Sequence, residues 1–130
     1  MKFNSILLSI ALLTSASPAF SKEVTCNFTS WKGATSEEAS ISWVGTGFIA
    51  DAKKARVRKV YNGNKQAWTK VTVKKTNKFT TFVYRTKNEA NDKGEKVDRR
   101  YGYRVYETGK CNVTFTTQKY TPIIATGRLN

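Results

Sequence analysis

Downstream of residue 22, apolar and polar residues alternate in short runs, and turn-forming residues break the pattern at roughly ten-residue intervals. A period of two is that of a half-buried β-strand, whose successive side chains point to opposite faces. "EVTCNFTSW" reads as a first strand and "ASISWVGTGFIA" as a second, with Gly45 and Gly47 suggesting a bend or bulge. "ARVRKVY" is a third, and the "NGN" that follows is a strong turn signal. "AWTKVTVKK" is a fourth, with Ala67, Thr69, Val71 and Val73 on one face and Trp68, Lys70, Thr72 and Lys74 on the other. "TNK" turns into "FTTFVYRT", and the polar loop "NEANDKGEK" leads to "RRYGYRVYE". "KCNVTFTTQ" and a short "TPIIATG" complete the set. The segment "ATSEEASISW" admits a second reading, a helical turn capped by Ser36 ahead of Glu37 and Glu38. The expected fold is all-β: an antiparallel meander of seven to eight strands, closing as a barrel or folding as a two-sheet sandwich.

The same alternation interprets "DRRYGYRVYETGKC". Tyr101, Tyr103 and Val105 share the inward parity, whereas Arg100 and Arg104 point outward, with Tyr106 as the aromatic nearest a surface site. A strand explains this pattern without invoking a ligand.

The first residues add a compartment. Lys2, the apolar run "ILLSIALLTSA" and the small residues of "SPAFS" form a secretory leader over 1–21, cleaved after Ser21 or alternatively after Ala19. The run is too short to span a bilayer, for which about 20 apolar residues are needed. Residues 22–130 then form one domain, exported to the periplasm or the medium. In that oxidising setting Cys26 and Cys111 are expected to form a disulfide; free thiols are the alternative. A bond between the first and seventh strands favours the barrel. With two cysteines and no histidine, no metal site or cofactor is expected.

"TNKFTTFVYRT" and "RRYGYRVYETGKCNVTFTTQKYTPIIATGRLN", with the early cysteine and the Gly-rich second strand, resemble a group of small exported β-proteins of alphaproteobacteria that have no assigned activity. Those proteins typically end in a tyrosine, a short spacer and Gly-x-Cys. This chain has Leu129 at the cysteine's place, which leaves Cys111 to make the bond. The resemblance implies a compartment rather than a reaction.

Charge changes the picture next. Removing Lys2 from 23 basic and 9 acidic side chains leaves a net charge of +13, a field that attracts lipopolysaccharide, acidic glycans, anionic lipid or nucleic acid. No acid occurs between Ala52 and Asn88. Within that stretch Arg56, Arg58, Lys70 and Lys74, with Trp68 on the same outer face, form the candidate anion-binding site. An exposed indole among cations suits stacking on a base or sugar, or insertion at a lipid interface.

Catalysis is narrowed by exclusion. Without histidine there is no Ser–His–Asp triad and no Cys–His nucleophile, and no P-loop or dinucleotide fingerprint appears. A glycosidase needs only two carboxylates, but most acids fall in predicted loops among lysines. The leading expectation is a non-catalytic binding module for an anionic polymer or envelope surface. The alternatives are a structural or small-ligand barrel with incidental charge, and a carboxylate-dependent hydrolase of cell-wall glycans.

Overall fold

The computed structural model describes residues 22–130; the expected leader and its cleavage site lie outside the described residues. The strands are β1 (Glu23–Lys32), β2 (Gly47–Asp51), β3 (Arg56–Tyr61), β4 (Asn64–Lys65), β5 (Thr69–Lys70), β6 (Thr72–Lys75), β7 (Phe79–Ala90), β8 (Lys96–Tyr106), β9 (Lys110–Thr117) and β10 (Ile123–Leu129), with one helix, α1 (Glu37–Val44). All ten strands join one antiparallel sheet in the order β4-β3-β2-β1-β10-β9-β8-β7-β6, with β5 also on β3.

Neither expected closure is found: the strands form one sheet rather than two, and it is not closed as a barrel. The expected fourth strand is divided. Thr69–Lys70 pairs with β3 at one edge of the sheet, and Thr72–Lys75 pairs with β7 at the other. Val71 lies between them, buried, its N–H donating to the Ala55 carbonyl. Consecutive residues thus span the two edges, and the sheet curls so that Phe48 of β2 meets Tyr103 of β8 at 4.8 Å.

The core fills the concave side of this curl. Phe28, Phe48, Val57, Phe82, Tyr101, Tyr103, Val105, Val113, Phe115 and Ala125 are all buried there. Tyr101, Tyr103 and Val105 therefore occupy the inward positions that the alternation of β8 assigned them, while Arg104 is exposed. The stacked rings of Tyr84 and Tyr101 (4.7 Å) continue through Phe115 (4.7 Å) to Trp43 (5.3 Å).

The segment expected as the start of a second strand is helical instead. Ser36 Oγ accepts from the Ala39 N–H at 3.0 Å, and Glu37 and Glu38 occupy the first turn, where the helix dipole favours negative charge. Gly45, at φ 83°, ends the helix, and Val44 and Ser40 are buried. The polar segment read as a long loop is mostly hairpin: β7 and β8 extend over it and leave only residues 91–95 as the turn.

A disulfide joins Cys26 to Cys111, with 6.1 Å between Cα atoms. The two cysteines sit on β1 and β9, and β10 runs between those strands, pairing Leu129 with Cys26 and Gly127 with Cys111. β1 approaches β10 closely here. A Cβ on Gly127 would overlap the Asn27 carbonyl oxygen and lie 2.7 Å from Phe28 Cα.

Candidate functional site

The cations expected as one patch are partly brought together and partly separated. Arg56 lies opposite Lys70 across β3–β5. The guanidiniums of Arg56 and Arg58 lie 3.9 Å and 4.6 Å from the Trp68 ring centroid. Trp68 is half-buried beneath them rather than presented to solvent. Arg56 is also neutralised: it pairs with Asp51 at 3.2 Å and with Glu23 at 3.7 Å. Burial raises the Asp51 pKa, but the Lys54 amide and the Arg56 guanidinium outweigh it and hold the carboxyl below its usual value. Lys74 leaves this group altogether, because β6 carries it to the opposite edge beside Thr81.

There Lys74 joins a second set of cations. In an antiparallel sheet, directly opposed residues share a face. The register places Lys74, Thr81, Arg104, Asn112 and Thr126 in one outward row across β6 to β10. Arg85, Arg100 and Thr116 form another, and Lys110 lies opposite Arg128. The ion pairs among the described residues use Arg56, Arg99 and Lys119; no cation of this outer face takes part in one. Between the rows is a trough of 270 Å³ lined by Arg100, Gly102, Arg104, Tyr106, Asn112 and two threonines. Gly102 makes room for it: Nη1 of Arg100 lies 2.8 Å from where a Cβ would stand. Arg104 packs over the Phe79 ring at 4.3 Å and, with Asn112, lowers the pKa of Tyr106.

A larger cleft of 480 Å³ opens between α1, the ends of β8 and β9, and the 91–95 turn. Ala34, Ala39, Trp43, Val97, Phe115 and Ile123 line it, with Asp92, Lys93 and Tyr120 at its polar side. Tyr120 is 46% exposed and is held in place by Glu95, which accepts from its hydroxyl at 2.8 Å, from Asn91 at 2.9 Å and from Lys119 at 3.0 Å. Those donors, Asn91 first, bring the Glu95 pKa down to about 2. Arg99 also lines the cleft, paired with Glu89 at 3.0 Å and placed 5.2 Å from the Trp43 ring centroid.

A third depression of 340 Å³ adjoins both of the others. It shares Arg100 with the trough, and Arg99 and Thr117 with the cleft. Asp92 is the carboxylate of the cleft and Asp98 that of the third depression; the trough has none. No group of three or more metal-ligating side chains occurs among the described residues.

Lys59, like Arg99, points the other way. Lys59 shares the inward parity of Val57; its Nζ donates to the Trp43 carbonyl at 3.2 Å and to the Tyr101 hydroxyl at 3.1 Å. Burial, reinforced by Arg99, brings its pKa down to about 8. Lys59 is not among the residues singled out from the sequence, although in "RVRKVY" it has the parity of Val57.

No protein-family model, curated protein or solved structure matches the chain.

Proposed function

We propose that this protein is a non-catalytic, exported β-domain that binds an anionic polymer or envelope surface through the outer face of β6 to β10. The observation that carries this reading is the placement of Arg85 directly opposite Arg100, on the face that also carries the Lys74 and Arg104 row, without an ion-paired carboxylate among the described residues. Like charges opposed across strands are unfavourable, and an anion laid over them would relieve that repulsion. Arginine forks suit phosphate, sulfate and carboxylate groups, which they bind in bidentate fashion. The Arg56, Arg58 and Trp68 group is the weaker anchor, because Asp51 and Glu23 already engage Arg56 and the two guanidiniums cover the indole.

The test compares two triple variants of equal net charge on a heparin column and on anionic vesicles. One carries Arg85→Gln, Arg100→Gln and Arg104→Gln. The other carries Lys53→Gln, Lys54→Gln and Lys65→Gln, at exposed positions beyond this face. The first should elute at clearly lower salt than the second. Equal losses would mean that overall charge alone attracts the partner and that the face is not a site.

A further inference from the structure

We propose that the trough over Gly102 seats a single phosphate or sulfate monoester group of the partner, one with three free oxygens, held by Arg100 and Arg104. This rests on the outer-face reading above and narrows it to the chemical group that the face takes.

Arg100 is the first support. It is partly buried, yet it makes no hydrogen bond or ion pair among the described residues. Its side chain folds along β8, so that Nη1, Cζ and Nη2 lie 2.8, 3.4 and 3.5 Å from where a Cβ on Gly102 would stand. The guanidinium therefore lies over bare backbone, and Gly102 is buried although its position faces outward. A guanidinium carries five N–H donors in a fixed fork, and withdrawing them from water without an acceptor is unfavourable. An oxyanion in the trough supplies that acceptor.

The remaining lining decides which oxyanion. Thr114 stands opposite Gly102, and Thr81 and Asn112 stand opposite Arg104 on either side. Neither threonine hydroxyl is hydrogen-bonded among the described residues. Arg104 and Asn112 favour negative charge on the Tyr106 oxygen, whose pKa they lower, and no carboxylate lines the trough. Two guanidiniums with neutral donors between them suit a group that accepts in several directions. A phosphate or sulfate monoester offers three free oxygens; a diester or a carboxylate offers two. Size agrees: sites that enclose a whole small molecule commonly measure about 300–1,000 Å³, and the 270 Å³ of the trough suits one charged group of a larger partner.

Gly102 is thereby the specificity-determining position. Its φ lies outside the left-handed region, and what a Cβ would meet is the far end of a flexible side chain. Alanine fits the strand at little cost in stability, but it drives the Arg100 guanidinium off the floor of the trough. The substitution changes no charge, so it separates a built site from the attraction of the whole face.

NMR titration, read at the Arg100 Nε and Thr114 amide signals, tests this with four probes at constant ionic strength. Glucose 6-sulfate, dimethyl phosphate and glucuronate each carry one negative charge at pH 7.5 and differ in their free oxygens; glucose 6-phosphate adds a second charge. Glucose 6-sulfate should bind more tightly than dimethyl phosphate and glucuronate. Glucose 6-phosphate should do so too, and should weaken towards pH 5 as its second proton returns, with a pKa of about 6; whichever monoester binds tighter at pH 7.5 names the source of the group. Gly102→Ala, checked for folding by thermal unfolding, should bind both monoesters at least about tenfold more weakly, the loss of one charge-assisted hydrogen bond. Arg100→Lys, which keeps the charge but not the fork, should weaken them likewise. Equal binding across the four probes, no binding by any, or folded Gly102→Ala and Arg100→Lys binding like the wild type would overturn the monoester seat while leaving the outer face standing. Unaltered heparin retention in the Arg85, Arg100 and Arg104 variant would instead sink the outer-face reading on which the proposal rests.

Discussion

Arg85 and Arg100 stand directly opposite one another across the β7–β8 ladder, and neither has an ion-paired carboxylate among the described residues. Cross-strand like charges cost up to about 1 kcal/mol where opposite charges would gain. Replacing Arg85 by threonine, which matches the surrounding outer face, should therefore raise stability by about 0.5 kcal/mol. Urea unfolding at low salt would show it. The gain should shrink at 1 M salt, where the screening length falls to about 3 Å.

The bond between Cys26 and Cys111 closes a loop with a sequence separation of 85. In the chain-entropy model such a loop corresponds to about 4–5 kcal/mol of stability, a third or more of the roughly 5–15 kcal/mol of a typical domain. The Cys26→Ser, Cys111→Ser double variant should lose stability on that scale. Thiol labelling of the denatured, unreduced wild type should find no free cysteine.

Gly127 has no space for a side chain, because the Asn27 carbonyl and Phe28 Cα of β1 press against it. Both obstacles are backbone, so neither can swing aside. Gly127→Ala should cost at least about 2 kcal/mol, the scale of overpacking in a close-packed interior. The neighbouring Arg128→Ala, at an exposed position, should change the thermal midpoint little.

Lys59 makes stability depend on alkaline pH. Its pKa of about 8 lies below the ordinary 10.5, so between those values the unfolded chain binds more protons than the folded one. Stability then rises with pH through this window. The expected gain from pH 7 to pH 9 is about 1 kcal/mol, measurable by denaturant titration. Lys59→Met should abolish the rise. Above about pH 10 the trend reverses, because burial raises the pKa values of Tyr84, Tyr101 and Tyr103, and tyrosines of the unfolded chain lose protons first.

Sequence by itself determined the features that are local. Alternation in "RRYGYRVYE" placed Tyr101, Tyr103 and Val105 inside and Arg104 outside; "NG" turned the chain after β3, where Asn62 and Gly63 both have positive φ; and two lone cysteines left one pairing to make. The first two follow from a period of two along one strand and from a residue's own backbone preference; the pairing follows from there being two cysteines and no more. Only the tertiary structure decided what depends on which strands meet. It divided residues 69–75 between opposite edges at Val71, covered Trp68 with Arg56 and Arg58, and resolved the 37–44 segment as a helix packed on the core. It also set Arg85 against Arg100, and brought Lys74 to their face rather than to Arg56. The physical reason is that alternation specifies which side of a strand a residue faces but not its partner across the ladder. Partnership is settled by the collective burial of the core and the curl of the whole sheet, which no single stretch of the chain encodes.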